Sequence, residues 1–222
     1  MNILTAEDPV EYEMEGVGQV QIKEDIGYTF EIALRSFLRQ DPEVIFVGEM
    51  RDQITVDIAL KAALTGHLVF STLHTNNALA SITRLQNMGT PNYLLASALT
   101  LIMAQRLARK TCSECRIIDE TVNAQLLNSI GFEPEQSCRA KIYKGSGCDH
   151  CNDSGYKGRM GVYEILEIDK NLKQGILSNL QQLDLNAIAK KNGFRTMQNM
   201  GHELLLSGDL SFSEYSKVLQ SN

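Results

Sequence analysis

Glu49, His67 and His74 fall within one block, residues 41–77, together with Arg51. A carboxylate just after a buried apolar strand, with imidazoles around a second such strand, supplies the groups needed to activate a water molecule and to sense a phosphate. Glu7 and Asp8 add a third acidic position after the apolar start Ile3-Leu4. Taken singly, each has a plain alternative: a glutamate after a strand is commonly a solvated loop residue, and a lone histidine carries no more weight. Their coincidence after three apolar runs is what points to a site.

The elements that would position them follow from the apolar pattern. Val44-Ile45-Phe46-Val47 has no polar alternation, which predicts a strand buried on both faces of a parallel sheet, with Gly48-Glu49 at its carboxyl end. Ligands of open α/β sheets bind at that edge. Leu68-Val69-Phe70 repeats the arrangement and leads into His74, so Glu49 and His74 are expected to be neighbours. Thr29 caps a helix with an apolar face of Phe30, Ala33, Leu34, Phe37 and Leu38. Arg35 and Arg39 share its other face, and Asp41-Pro42 ends it. Asp52 caps a second helix over 53–64, with Gly66 beyond its end. Asn76 or Asn77 caps a third over 78–88, stopped by Gly89, and Pro91 opens an apolar helix expected to run to about Lys110. The alternation of strand and helix predicts an α/β fold, a parallel sheet flanked by helices.

Cys112-x-x-Cys115 and Cys148-x-x-Cys151 form two hooks of two thiols each. Together they complete a tetrahedral four-sulfur zinc site, closed to substrate and therefore structural. Two disulfides or chance spacing are the alternatives. Cys138 is left over, and His150 sits between two ligands. The stretch around the hooks is rich in Gly and polar residues, so bound metal would supply stability that its apolar content does not. Gly161 to Leu166 then predicts a strand, and the remainder is helical, with Asp184, Thr196 and Ser211 as candidate N-caps, Gly193 and Gly208 as stops and Ser211-x-x-Glu214 as a capping box. The division expected is 1–110 for the sheet, 111–160 for the zinc module and 161–222 for a carboxyl-terminal helical region.

Composition narrows the classes. A chain of 222 residues with 43% apolar content holds one large or two small domains. A net charge of −6 argues against non-specific nucleic-acid binding, and no basic stripe with interleaved aromatics supports a DNA translocase. No secretory signal is visible at the amino end. Thr90 to Gln105 is uncharged but shorter than the ~20 apolar residues of a membrane span, and is read as a buried helix. Five cysteines without an export signal fit a reducing compartment.

The segments ILTAEDPVEY, LRSFLRQDPEVIFVGEMRD, ALTGHLVFSTLHTN and AQRLARKTCSEC closely resemble the secretion ATPases of type II secretion and type IV pilus assembly, where they form the Asp box, Walker B region, His box and start of a tetracysteine motif. The resemblance implies a RecA-like core, ATP with Mg²⁺, and a ring, expected to be a hexamer, that works on an inner-membrane platform from the cytoplasmic face. It implies that Glu49 polarises the attacking water, that Glu7 and Asp8 lie near the metal and γ-phosphate, and that His67 and His74 report the γ-phosphate. Arg35, Arg39 and Arg106 are candidates for phosphate or intersubunit contacts, with surface ion pairs as the alternative. The tetracysteine element favours export or pilus-extension motors over retraction motors. The sequence contains no G-x-x-x-x-G-K-[ST] loop. In that family the loop precedes the Asp box, so the chain is expected to be the carboxyl-terminal part of a longer motor, inactive by itself. A non-catalytic, zinc-stabilised interaction module is the second reading.

Overall fold

The computed structural model describes residues 1–220. Contacts divide the chain into two compact units, one of residues 1–102 and 166–193, the other of residues 103–165 with the chain from Phe194 onward.

The first unit is built on β1 (Ile3–Glu7), β2 (Gly18–Gln21), α1 (Phe30–Phe37), β3 (Val44–Val47), α2 (Gln53–Leu64), β4 (Leu68–Ser71), α3 (Ala78–Asn87) and α4 (Asn92–Ala98). The four strands form one parallel sheet in the order β2-β1-β3-β4. Leu4, Ala6, Ile45 and Val47 of the two central strands bury against Phe30, Ala33, Leu34 and Phe37 of α1 and Ile58, Ala59 and Ala62 of α2. The helix starts follow local chemistry: the Thr29 hydroxyl accepts from the Ile32 N–H, Asp52 from Thr55 and Asn77 from Ala80. Gly66 and Gly89, both at positive φ, follow the ends of α2 and α3.

Strand β5 (Leu101–Thr111) carries the chain into the second unit. There follow β6 (Arg116–Ile118), α5 (Ala124–Ser129), α6 (Pro134–Arg139), β7 (Tyr143–Gly145) and β8 (Tyr156–Glu167). Strand β5 pairs with β8, and β6 with β7 antiparallel. Helices α7 (Lys170–Leu177) and α8 (Gln182–Lys191) belong to the first unit, and α9 (Met197–Ser207) and α10 (Phe212–Tyr215) to the second. Ala108, Leu127, Phe132, Ile142, Val162, Met197, Leu205, Leu210 and Tyr215 make the second core. Among the described residues no helix is long and apolar enough to cross a membrane.

Three expectations are corrected. The apolar helix from Pro91 ends at Ala98, and Leu101–Thr111 is a strand. Leu99 already has extended backbone, at φ −70° and ψ 131°. Residues 101–107 alternate between exposed and half-buried, a period of two that was hidden because both faces carry Leu, Ile, Met or Ala. Pairing with β8 overrides their helical propensity. Second, β3 and β4 are not buried on both faces. Side chains alternate across a sheet, and α1 and α2 cover one face only. Val44 and Phe46 are half-buried, while Leu68 and Phe70 on the edge strand β4 are 53% and 52% exposed. Third, the capping arrangement of the last helices differs. Gln181, not Asp184, precedes α8, and Ser211 caps α10 through the Glu214 N–H while the Glu214 carboxylate turns to Arg109 instead of completing the box.

Candidate functional site

Strands β1, β3 and β4 run in register, pairing Ala6 with Val47 and Val47 with Ser71, so the residues that follow them emerge at one edge. Gly48 allows that convergence. Its N–H donates to the Ala6 carbonyl at 2.7 Å, and a Cβ at this position would sit 3.1 Å from the same oxygen and 3.3 Å from Glu7 Cα. The Thr72 hydroxyl donates to the Gly48 carbonyl at 2.5 Å, and the Met50 N–H donates to the Thr72 carbonyl at 3.1 Å, which ties the end of β3 to the end of β4.

Glu49 stands at the centre of what gathers there. Its Oε2 lies 3.0 Å from His74 Nε2, and its Oε1 pairs with the Arg51 guanidinium. The expected proximity of Glu49 and His74 is therefore present. The Glu49 side chain is 16% exposed, whereas that of His74 is 90% exposed and free to meet a ligand from solvent. Arg51, chiefly by its hydrogen bond, outweighs the opposing effect of burial and, with His74 adding to it, holds Glu49 below the usual carboxylate range. Arg51 also pairs with Asp8 at 3.3 Å and Glu24 at 3.9 Å, so one guanidinium links β1, β3 and the turn after β2. Glu7 accepts from the Thr5 hydroxyl at 2.6 Å and the Gln19 amide at 3.0 Å.

Other sequence-predicted residues lie elsewhere. His67 precedes β4, whose length of about 13 Å separates it from the edge that carries His74. Its Nδ1 lies 2.9 Å from the Ala62 carbonyl and 3.2 Å from the Thr65 hydroxyl, at the end of α2. Arg35 pairs with Glu31 one helical turn away at 2.9 Å, and Arg39 is exposed after the end of α1. Arg106 is half-buried on β5, in the second unit. The bridging position of Arg51 was not assigned a role from sequence; its spacing of two residues from Glu49 was the available signal.

In the second unit, Cys112, Cys115, Cys148 and Cys151 bring their sulfurs within 4.8 Å of one another, with no disulfide among them. Sulfur separations of 3.9 Å for 112 and 148, 3.8 Å for 115 and 151, and 3.7 Å for 148 and 151 match the ~3.8 Å edge of a tetrahedron with ~2.3 Å metal–sulfur bonds. The Cys151 sulfur also accepts from the N–H groups of Cys148 and Gly155, each at 3.3 Å. Burial opposes its ionisation, but these donors and the neighbouring thiols bring it down to about 6. At Cys148 a backbone hydrogen bond from Cys151 is outweighed by burial and the hydrogen bonds among the thiols, which push it up to about 11, so the two thiols of one hook share their proton unequally. The donor set fits a closed, structural metal site. Backbone geometry supports it: Gly147, Gly155 and Gly158 have positive φ, and a Cβ at Gly145 would sit 2.0 Å from the Gly155 carbonyl oxygen.

Comparison with known proteins gives the family of the chain. The chain is 45% identical over 219 residues to the type IV pilus assembly ATPase PilB of Acinetobacter baylyi, covering 98% of this chain and 38% of that protein. It is 40% identical over 223 residues to the type II secretion system protein E of Aeromonas hydrophila, covering all of this chain and 43% of that protein. The chain thus spans about two fifths of the length of the curated relatives it matches. Among solved structures, the pilus retraction motor PilT with bound ADP superposes with a TM-score of 0.68 at 30% identity, over 97% of this chain and 52% of that one. The ATPase DotB of Legionella pneumophila shares the fold, with a TM-score of 0.63 at 21% identity over 97% of this chain and 50% of that one. The Type II/IV secretion system protein family matches residues 1–217, and the chain belongs to that family.

Proposed function

We propose that this chain is the carboxyl-terminal part of a hexameric motor ATPase that couples ATP hydrolysis to type IV pilus extension or type II secretion. The observation that carries the reading is the 3.0 Å contact of His74 with Glu49 at the carboxyl edge of a parallel sheet, in a chain of this family. Phosphoryl transfer relies on positioning and electrostatics, and the roles divide accordingly. Glu49, held by its two partners, Arg51 and His74, orients the attacking water. Glu7 and Asp8 would lie near Mg²⁺ and the γ-phosphate when nucleotide is bound, and His74 would report the γ-phosphate to the loop before α3. His67, a strand's length from that edge, bears on sensing only indirectly, through the end of α2 that it holds, and Arg35, Arg39 and Arg106 offer cations to phosphate or to a neighbouring subunit.

In this reading residues 1–110 carry the nucleotide-facing part, 111–160 a zinc module and 161–222 a helical carboxyl-terminal region. Zn²⁺ bound by Cys112, Cys115, Cys148 and Cys151 is structural. The motor works in the cytoplasm on the inner face of the inner membrane, against a platform protein, and binds no nucleic acid in a specific manner. Because this sequence has no G-x-x-x-x-G-K-[ST] loop, the phosphate-gripping half of the site comes from preceding sequence. Reading upstream in the same frame is expected to reveal that loop. In the polypeptide so extended, Glu49→Gln is expected to lower kcat for ATP at least 100-fold while nucleotide binding persists. An upstream frame without the loop, or full turnover in Glu49→Gln, contradicts the proposal.

A further inference from the structure

The two cysteine hooks are fastened on both sides to one short stretch, residues 207–214, which joins α9 to α10. On the entering side, the Arg109 N–H donates to Glu214 Oε1 at 2.9 Å, and its guanidinium donates twice to Oε2, at 2.9 and 2.7 Å. Lys110 pairs with Asp209 at 3.2 Å, and the Thr111 N–H, one residue before Cys112, donates to the Asp209 carbonyl at 2.9 Å. Just after the first hook, Arg116 donates to the Ser207 carbonyl at 3.2 Å. On the leaving side, the Tyr156 hydroxyl lies 3.0 Å from both Ser211 and Ser213, and its ring lies 4.0 Å beneath the Arg109 guanidinium. The hooks are joined to each other by the Cys112 N–H donating to the Gly155 carbonyl at 3.0 Å. Gly208, at φ +78°, leaves room for Tyr143, whose Cδ2 would lie 2.8 Å from a Cβ there.

These bonds do particular work for the helices. A helix ends with carbonyls that have no intrahelical donor, and Ser207, the last residue of α9, receives its donor from Arg116. Half of segment 207–214 is buried, namely Gly208, Leu210, Ser211 and Glu214, with Leu210 in the second core; its polar groups are held by the residues that flank the hooks. A cation held by all four sulfurs ties the two hooks to each other, and with them Thr111 and Tyr156 on their flanks; without it that constraint on both anchors is lost.

We propose that metal occupancy of the cysteine cluster sets the order of the α9–α10 turn, making the zinc module a clasp for the carboxyl-terminal helices. The inference rests on the reading of the four cysteines as a zinc site. The test is hydrogen exchange of the zinc-loaded chain before and after removal of Zn²⁺ by a chelator, with metal content measured in parallel. Amides of 207–216 are expected to exchange at least tenfold faster after removal, with α1 and α2 unchanged. Glu214→Gln, which leaves every cysteine in place, is expected to speed exchange in the same stretch while zinc is retained. A chain that holds about one zinc yet keeps 207–216 protected after its removal overturns the inference alone, as does loss of protection throughout both units. A chain that never takes up zinc overturns the inference and the zinc reading together.

Discussion

At the scale of residues, the two members of the Arg109–Glu214 ion pair differ in what a mutation leaves behind. Glu214 is buried and Arg109 half exposed, with side chains 4% and 49% accessible. Removing the arginine strands a buried carboxylate, whereas removing the glutamate releases a guanidinium to solvent. Arg109→Ala is therefore expected to destabilise the second unit by about 2–3 kcal/mol and Glu214→Gln by about 1 kcal/mol, read by chemical denaturation. Burial raises the pKa of Glu214, but hydrogen bonds from Arg109 outweigh it and the net shift is downward. The pair's contribution is thus present above the unfolded carboxylate value of about 4.3 and is lost as pH falls through the lower folded value. The acid limb of unfolding should flatten in Glu214→Gln, and an unchanged limb would contradict the assignment. Such a pair was only half legible: Ser211-x-x-Glu214 reads as a capping box, and nothing local shows that the carboxylate turns instead to a residue 105 positions earlier. By contrast, Glu49 with His74 was legible, because parallel strands of similar length must deliver their following residues to the same edge.

Elements divide along the same line. Helices α1 and α2 read directly, since Thr29 and Asp52 cap them by local hydrogen bonds and Phe30, Ala33, Leu34 and Phe37 fall on one face. Strand β2 did not, because Gly18-Gln19-Val20-Gln21 has one apolar side chain and owes its extension to pairing with β1. Strand β5 misled for the opposite reason, its residues being apolar on both faces. Around the hooks the richness in glycine was legible, but the close approach of two of these glycines was not. At Gly145 a Cβ would meet the Gly155 backbone at 2.0 to 2.6 Å, and backbone cannot move aside as a side chain can. Gly145→Ala is expected to cost more than ~2 kcal/mol in the second unit and to lower zinc per chain in elemental analysis. Full zinc content with unchanged stability would show that the hooks tolerate separation.

For the molecule as a whole, the two units bear different parts of the account. The first gathers Glu7, Asp8, Glu49, Arg51 and His74 at one sheet edge, the cluster proposed to orient water and sense phosphate, with no phosphate-gripping loop in its sequence. The second holds the four-cysteine cluster and fastens the last helices to it. What sequence alone could not give was the grouping of residues 166–193 with the sheet and of the chain from Phe194 with the cysteines, because that depends on packing between segments far apart in the chain. The central claim is that this chain carries one half of an ATPase site. The most direct test is Mg²⁺-dependent ATP hydrolysis by the purified chain, with Glu49→Gln as the background. We predict no turnover above that background; robust hydrolysis abolished by Glu49→Gln would contradict the account.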